Sequence, residues 1–454
     1  MIFLKIIITG IGKLGEYLTR SLVENNNEIT IVDKDFTTTK DLINNVDVNY
    51  VTGNALDVKV LLEAGIDSAD LLISVMDNDE KNIICALLGK KLGAKQTIAR
   101  IRTPEYSGAV GILKEELGLS MVINPEYLTA NHIAHSLSIP SALDATSFFK
   151  GRIQMISLKV KEGSKLENQS LNAFSKKLNL NIIVCAIDRE GKIIIPRGKE
   201  KLLANDKIHV AGTFENITKF LEYFNLISQK TKKVIISGGS KTTVYLTQKL
   251  LDLGMQVKIV EIDSERCKEL SEILPKALII NGDVSDQNIL YEEGIASCDA
   301  FVSLTSIDEE NIVYSMFAAL NDVPKIITKI NHIDLDGVIE KANIDTVITP
   351  HRIAANHIVQ YVRALQNSEK SSCEAVYKFD DDVFEMLEFN IKEDFKGVNK
   401  KIRDLNVREN VLIVAILRDK KIIYPSGNEE IKLHDTIIII DGTTEVLEIN
   451  DMVE

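Results

Sequence analysis

The chain is expected to be an α/β protein: two tandem doubly wound parallel sheets of the Rossmann type, each followed by a small α+β lobe. Three observations carry that expectation. Short β-branched runs alternate with stretches of helical periodicity in both halves, the pattern that gives right-handed crossovers and a parallel sheet covered by helices on both faces. The run Ile6-Ile7-Ile8 feeds into Gly10-Ile11-Gly12-Lys13-Leu14-Gly15, a G-x-G-x-x-G turn set between a strand and a helix. Landmarks of the first half then return, in order, in the second.

The opening turn has the makings of a phosphate cradle. Gly10 allows the tight turn, Gly12 removes a Cβ where backbone must approach a pyrophosphate, and Gly15 lets helix and strand pack closely. The helix that follows offers unpaired N–H groups and a positive dipole end. The next strand, Ile29 to Val32, ends at Asp33, near the ~20-residue spacing of a ribose-binding acid. A carboxylate there accepts from both ribose hydroxyls and repels a 2′-phosphate. Further strands are expected near 48–51, 70–75, 97–101 and 120–123, and a helix from Pro125 to about Ser138.

From residue 152 the composition changes. Strands are expected at Ile153 to Val160, Ile182 to Asp188, Lys192 to Pro196 and Lys207 to Val210, with helices near 170–178 and 216–223. The second half repeats the whole order. Lys232 to Ser240 mirrors the opening strand and turn, and Glu261 follows Gly238 by 23 positions, as Asp33 follows Gly10. Gly282-Asp283-Val284 mirrors Gly53-Asn54-Ala55, Asn311 mirrors Asn82, and Thr349-Pro350 mirrors Asn124-Pro125. The small lobe recurs over 383–451. The expected division is 1–138, 139–227, 232–365 and 375–454, with linkers at 228–231 and 366–374.

Net charge and cysteine usage exclude whole classes of function. A net charge of −13 argues against nucleic-acid partners and against electrostatic docking on anionic lipid. The five scattered cysteines form no CxxC pair and suit buried thiols in a reducing compartment. The first strand starts close to Met1, so no signal peptide is expected, and no apolar run reaches the ~18 residues of a membrane span. No G-x-S-x-G, H-E-x-x-H or Walker lysine is present. His132 and His135 suit helix packing, and His209 and His434 look solitary.

Ligands of doubly wound sheets sit at the carboxyl ends of the strands. That places Gly10, Ile11, Gly12, Lys13, Leu14 and Gly15 at the phosphates, Asp33 at the ribose, and Asn54, Ala55, Met76 and Asp77 around the adenine. Arg100, at the end of its strand, reads either as a phosphate contact or as a surface arginine. In the second half Ser240 and Thr243 replace Gly12 and Gly15, Glu261 replaces Asp33, and Lys329 replaces Arg100. Weak nucleotide binding and a purely structural fold both remain open there.

On Gly10 to Gly15, Asp33, Asp79-Glu80 with Asn82, Arg100, Pro104-Glu105-Tyr106, and the helix after Asn124-Pro125-Glu126, the sequence resembles the TrkA family. These are the peripheral regulators of Trk-type potassium uptake, built from tandem RCK domains. The resemblance implies a non-enzymatic cytoplasmic regulator, peripheral on the inner face of the membrane beneath a potassium-translocating subunit. It implies a ring-like homo-oligomer, dimer or tetramer, paired through crossover helices. It implies NAD or NADH in the first Rossmann site, with ATP or ADP as alternatives in either site. By the same resemblance, the second site falls on Gly238, Gly239, Ser240, Lys241, Thr242, Glu261, Thr305, Ser306 and Lys329. The rival readings are an NAD-dependent oxidoreductase and a structural scaffold with vestigial nucleotide folds.

Overall fold

Alternation of strand and helix builds the sheet expected of it. A computed structural model describes residues 3–25, 27–104, 106, 111, 116–138, 144–148, 152–171, 180–226, 231–331, 344, 346–367, 373–379, 384–419, 421–443, 446 and 448–453. In the first half β1 (Lys5–Thr9), α1 (Lys13–Glu24), β2 (Glu28–Asp33), α2 (Phe36–Asn45), β3 (Asn49–Thr52), α3 (Val58–Glu63), β4 (Leu71–Ser74), α4 (Asp79–Leu92), β5 (Gln96–Arg100), β6 (Met121–Ile123) and α5 (Pro125–Ser138) follow in turn. The strands order themselves β3-β2-β1-β4-β5-β6, all parallel. This is the doubly wound order whose chain reverses direction between β1 and β4, where ligands bind. Because both faces are covered by helices, β1 and β4 read as continuous apolar runs, and Ile6, Ile7, Ile8, Leu71, Leu72 and Ile73 are buried.

The first small lobe contains β7 (Asp144–Phe148), β8 (Ile153–Lys159), β9 (Ile182–Arg189), β10 (Lys192–Ile194), β11 (Lys207–Gly212) and α6 (Phe214–Tyr223). Its antiparallel sheet has the order β10-β9-β11-β8-β7. β7, paired along β8, is a strand that the sequence reading did not expect. The helix expected near 170–178 lies largely outside the described residues, as does most of the linker at 228–231.

The second half repeats the construction: β12 (Lys233–Ser237), α7 (Lys241–Asp252), β13 (Gln256–Glu261), α8 (Ser264–Ile273), β14 (Leu278–Asn281), α9 (Gln287–Glu292), β15 (Ala300–Ser303), α10 (Asp308–Leu320), β16 (Ile326–Lys329), β17 (Thr346–Ile348) and α11 (Pro350–Asn367). Its sheet order, β14-β13-β12-β15-β16-β17, is that of the first. The final lobe holds β18 (Cys373–Phe379), β19 (Phe384–Asn390), β20 (Val411–Arg418), β21 (Lys421–Ile423) and β22 (Thr436–Asp441) in the order β18-β19-β22-β20-β21. The linker expected at 366–374 is narrower than read: α11 runs on to Asn367 and β18 begins at Cys373.

The chain divides into two compact units that do not follow the linear order. One joins residues 1–134 with 231–359, the two nucleotide folds, and the other joins 135–230 with 360–454, the two small lobes. In the second unit the two antiparallel sheets share a core in which Ala186, Ala211 and Ala415 pack with Ile153, Phe384 and Ile438. The small alanines give the large residues room to interdigitate. Each small lobe is also clamped by a forked ion pair. Arg189 donates to both oxygens of the buried Asp206, 2.9 and 2.9 Å, and Arg418 does the same to Asp435, 2.8 and 2.8 Å. His209, which looked solitary in the sequence, is not: its Nδ1 lies 2.9 Å from the Ser157 hydroxyl and its ring meets Phe384 edge-on at 4.9 Å.

Candidate functional site

The carboxyl ends of β1, β2, β4 and β5 converge on the first glycine turn. Gly10 has φ +89°, a conformation that favours glycine, and a Cβ there would stand 2.7 Å from the Met76 backbone. At Gly15 a Cβ would run into the Gly10 carbonyl oxygen. Gly12 differs from both, because a Cβ there meets nothing within 4 Å. The turn is therefore open beside Gly12, the condition that a phosphate cradle needs.

Gly12 is also the N-cap of α1. Its carbonyl accepts from Glu16 N at 2.9 Å, and no side chain caps the helix. The first N–H groups of a helix have no partner within it. Those of α1 are therefore left facing the mouth, with the positive end of the helix dipole behind them.

Asp33 is held rigidly at the edge of this turn. One carboxylate oxygen accepts from Ile11 N at 2.7 Å and the other from Asp35 N at 3.0 Å. An ionised carboxylate offers about four acceptor positions. Two are filled by backbone, and the others are free for hydroxyls. Ile11, Leu14 and Ala55 are buried, so each can offer only backbone to a ligand. Asn54 folds over its own loop and accepts from Leu56 N.

Arg100 is not a surface arginine. Its side chain is largely buried and donates to the Met76 carbonyl, while its Nε has no hydrogen-bond partner. Burial, followed by the charge of Arg102 beside it, pulls the guanidinium down to about 10, against the attraction of Glu126, Asp79 and Asp77. A buried cation with an open donor is one that an anion would stabilise. Arg102 likewise donates to the Asp77 carbonyl, so both carbonyls of the Met76-Asp77 loop are held by arginines.

Two buried side chains fix these loops, a role that chain-neighbour patterns do not reveal. Asn82, fully buried, accepts from Met76 N at 2.8 Å and Ser74 Oγ at 3.0 Å, and donates to the carbonyls of Met76 and Arg100 at 3.0 Å each. It ties the ends of β4 and β5 together. Asp79 accepts from Arg102 N, Thr103 N and the Thr103 hydroxyl at 2.9, 2.9 and 2.7 Å. Burial would raise its carboxyl, but these donors outweigh that and hold it below the usual carboxylate range. Asn311 and Asp308 make the corresponding bonds in the second half.

The second turn is built differently at the atoms that would meet a phosphate. Ser240 caps its own helix, accepting from Thr243 N at 3.3 Å. Thr243 is accommodated where Gly15 was required, because its hydroxyl donates to the Gly238 carbonyl at 2.7 Å. Glu261 copies Asp33, accepting from Gly239 N at 2.5 Å and Asp263 N at 2.9 Å. A cleft of about 470 Å³ remains over Gly238, Gly239, Ser240, Glu261, Thr305 and Ser306, within the usual size of a small-molecule pocket. The remaining expected residues are placed around this cleft rather than in its lining, and Leu304 is part of that lining. Thr242 is buried, Lys329 donates to the Leu304 carbonyl at 3.4 Å, and Lys241 reaches the Thr103 hydroxyl of the first half at 3.1 Å.

The two mouths thus share a boundary. The hydroxyl of Tyr245 on α7 donates to the Arg102 carbonyl at 3.2 Å and accepts from Asn124 Nδ2 at 3.0 Å. Its ring meets Tyr127 edge-on at 5.5 Å, and Lys249 lies over the Tyr127 ring at 4.6 Å.

The glycine turn, the ribose-type acid and the duplicated four-part order are matched by a family. Residues 6–125 and 234–350 match the TrkA-N domain, and residues 155–225 and 386–448 match the TrkA-C domain. The chain belongs to the TrkA family. It is 30% identical over 450 residues to a Trk system potassium uptake protein TrkA homolog of Archaeoglobus fulgidus, covering 99% of this chain and 100% of that one. It is 31% identical to the Trk system potassium uptake protein TrkA of Haemophilus influenzae, covering 99% and 96%. Among solved structures, the GsuK RCK domain has the same fold, with a TM-score of 0.64 at 18% identity, covering 98% of this chain and 93% of that one. The GsuK channel bound to NAD has a TM-score of 0.64 at 17% identity, covering 98% and 77%. Among the described residues of this TrkA-family chain, no helix is long and apolar enough to cross a membrane. No group of three or more His, Cys, Asp or Glu among them is placed to hold a metal ion.

Proposed function

We propose that this chain is the nucleotide-binding regulatory subunit of a Trk-type potassium uptake system, and that its first half binds NAD or NADH, with ADP or ATP competing. The observation that carries this is the uncapped N-terminus of α1 above open space at Gly12, with Asp33 fixed beside it. That mouth supplies N–H donors for a pyrophosphate and acceptors for a ribose, and its acid disfavours a 2′-phosphate. NAD in the related GsuK channel supports the choice of ligand. The self-capped second turn suits a ligand that uses the acid Glu261 and the cleft rather than helix N–H groups. ATP or ADP there would bind more weakly than at the first. The four-part division at 138, 227, 232, 365 and 375 belongs to the same reading.

Regulation follows from what the mouth touches. The segment from Arg100 to Thr103 lines the first site, and its carbonyl and hydroxyl are also bonded to Tyr245 and Lys241 of the second half. A nucleotide that repositions this segment alters the contact between the halves. It shifts the assembly only by its difference in affinity for the two arrangements. A difference of about 1–3 kcal/mol gives about 5–150-fold coupling to the transporter. With a net charge of −13 the protein is not drawn to anionic lipid, so the membrane subunit holds it at the cytoplasmic face. Chains assemble into a homo-oligomeric ring beneath that subunit.

The test is titration of the full chain with NADH, NADPH, ADP and ATP, followed by potassium flux in vesicles carrying the transporter. NADH should bind saturably, and NADPH at least about tenfold more weakly. Asp33→Ala should erase that preference and weaken NADH by about 1.5–3 kcal/mol, the worth of hydrogen bonds to a charged group. Absence of nucleotide binding, or reduction of NAD in a metabolite panel, overturns the reading.

A further inference from the structure

The duplication lets the two mouths be compared position by position, and the second has changed its charge. Ile262, next to Glu261, stands where the first half has Lys34 next to Asp33. Asp283 replaces Asn54, and Glu310, next to Asn311, replaces Lys81 next to Asn82. Two lysines are thus lost and two carboxylates gained, and only Ser306 in place of Asp77 runs the other way. The cleft of about 470 Å³ has Glu261, Asp283 and Glu310 in its lining, and no Lys, Arg or His among the described residues there. Among the described residues no group of three or more His, Cys, Asp or Glu is placed to hold a metal ion, so these carboxylates act on a ligand by their own charge.

The groups that would draw a phosphate to this mouth are engaged elsewhere. Ser240 accepts from the Thr243 N–H at the start of α7, and Lys241 is bonded to the Thr103 hydroxyl. Arg266 donates through Nε to the Gly239 carbonyl at 2.7 Å and pairs with Glu269 at 2.8 Å. α10, whose N-cap Ile307 lies in the lining, carries Asp308, Glu309 and Glu310 in its own first turn. What remains suits a sugar and a base. Each oxygen of Glu261 accepts one backbone N–H, which leaves about two acceptor positions of the carboxylate for ribose hydroxyls. Asp283 is exposed, with Oδ1 accepting from Ser285 N at 2.8 Å, and a carboxylate at this place is an acceptor for the amino group of a base. Ile262 and Ile307 are exposed in the same lining and offer apolar surface to a flat ring.

We propose that the second mouth is a nucleoside site. It takes an uncharged nucleoside such as adenosine, with the ribose on Glu261 and the base against Ile262 and Ile307, and it rejects the same nucleoside once a 5′-phosphate is attached. This rests on the reading of the second fold as a ligand site, and it puts the nucleoside ahead of ATP and ADP there. A phosphate brought among three carboxylates is repelled wherever it settles, and repulsion of the wrong ligand discriminates as well as attraction of the right one. In the first mouth the same phosphate meets the uncapped N-terminus of α1. The two mouths thus sort ligands by charge, the dinucleotide to the first and the nucleoside to the second.

Calorimetric titration of the full chain with adenosine, AMP and ADP, after saturation with NADH, reads the second mouth while the first is filled. Adenosine should bind saturably, AMP at least about tenfold more weakly, and ADP more weakly still. Glu310→Lys restores the charge that Lys81 has in the first half. It should leave adenosine within about twofold and tighten AMP and ADP by about five- to thirtyfold. Ile262→Lys, at an exposed position, should act in the same direction and covers the case of a Glu310→Lys chain that does not fold. ADP binding as tightly as adenosine to the wild-type chain, with or without magnesium, overturns this inference alone, as does AMP binding that neither variant changes. If neither adenosine nor ADP binds, the second fold is no ligand site and the inference falls with that reading. If NADH does not bind, the reading of the first site fails, and the order of adenosine and ADP still decides the second.

Discussion

Gly12→Asp is expected to abolish NADH binding at the first site and to leave the fold as stable as before or slightly more so. The backbone at Gly12, with φ −83° and ψ −168°, is extended and open to any residue, and an added Cβ meets nothing within 4 Å. Aspartate is among the preferred N-cap residues and complements the positive end of the helix dipole. It gains a few tenths of a kcal/mol over glycine by accepting from the same N–H groups that a phosphate would use. The ligand then loses its donors and meets a fixed negative charge, a loss of at least about 3 kcal/mol, or more than about 100-fold in affinity. Gly12→Ser should fall between, since it rebuilds the cap that Ser240 makes in the second half. A thermal melt beside a binding titration separates the effects. Wild-type affinity in a folded Gly12→Asp protein would mean that no phosphate comes to α1. The neighbouring Gly15 is uninformative for this purpose, because a Cβ there strikes the Gly10 carbonyl and disturbs the turn itself.

The contrast between Gly12 and Ser240 shows what could be read in the sequence. Local patterns were legible: the strand–turn–helix order, the 23-position step to the acid, and the return of each landmark in the second half all follow from chain-neighbour rules. Partners distant in sequence were not. Asn82 stood out by its repetition at Asn311 and by the family resemblance, not by its role, since its four bonds go to the ends of strands that the fold brings together. Thr243 stands in the sequence only as the replacement of Gly15, and the structure shows its hydroxyl bonded to the Gly238 carbonyl. β7, with the sequence Asp144-Ala145-Thr146-Ser147-Phe148, carries too few apolar residues to register as a strand, and it forms because it can pair along β8 as the sheet's edge. His209 looked alone because its neighbours, Ser157 and Phe384, lie 52 and 175 positions away. Arg100 read equally well as surface or site. That its side chain lies buried against the Met76 loop is a tertiary property, out of reach of chain-neighbour rules.

Asn82→Leu should give the largest loss of local stability and should carry binding with it. Leucine fills a similar volume but leaves Met76 N and the Arg100 carbonyl without the partners they have at 2.8 and 3.0 Å. The Met76 carbonyl keeps its bond from Arg100, so it is only partly deprived. Each buried backbone group left unsatisfied costs about 1–3 kcal/mol, which puts the substitution near 3–5 kcal/mol. The penalty falls on the β4 and β5 ends that carry Met76, Asp77 and Arg100, so those groups lose their fixed positions over the mouth and NADH affinity falls with them. Asn311→Leu breaks the equivalent bonds to Thr305 and Lys329 and should cost the second half as much. It should leave NADH binding at the first site almost untouched. Hydrogen exchange at the Met76 and Thr305 amides reads the two local openings separately, and titration with NADH reads the ligand. If both variants weaken NADH equally, the first mouth depends on the integrity of the whole unit and not on its own strand ends. If neither amide exchanges faster, the carboxamides are not what holds those strand ends together.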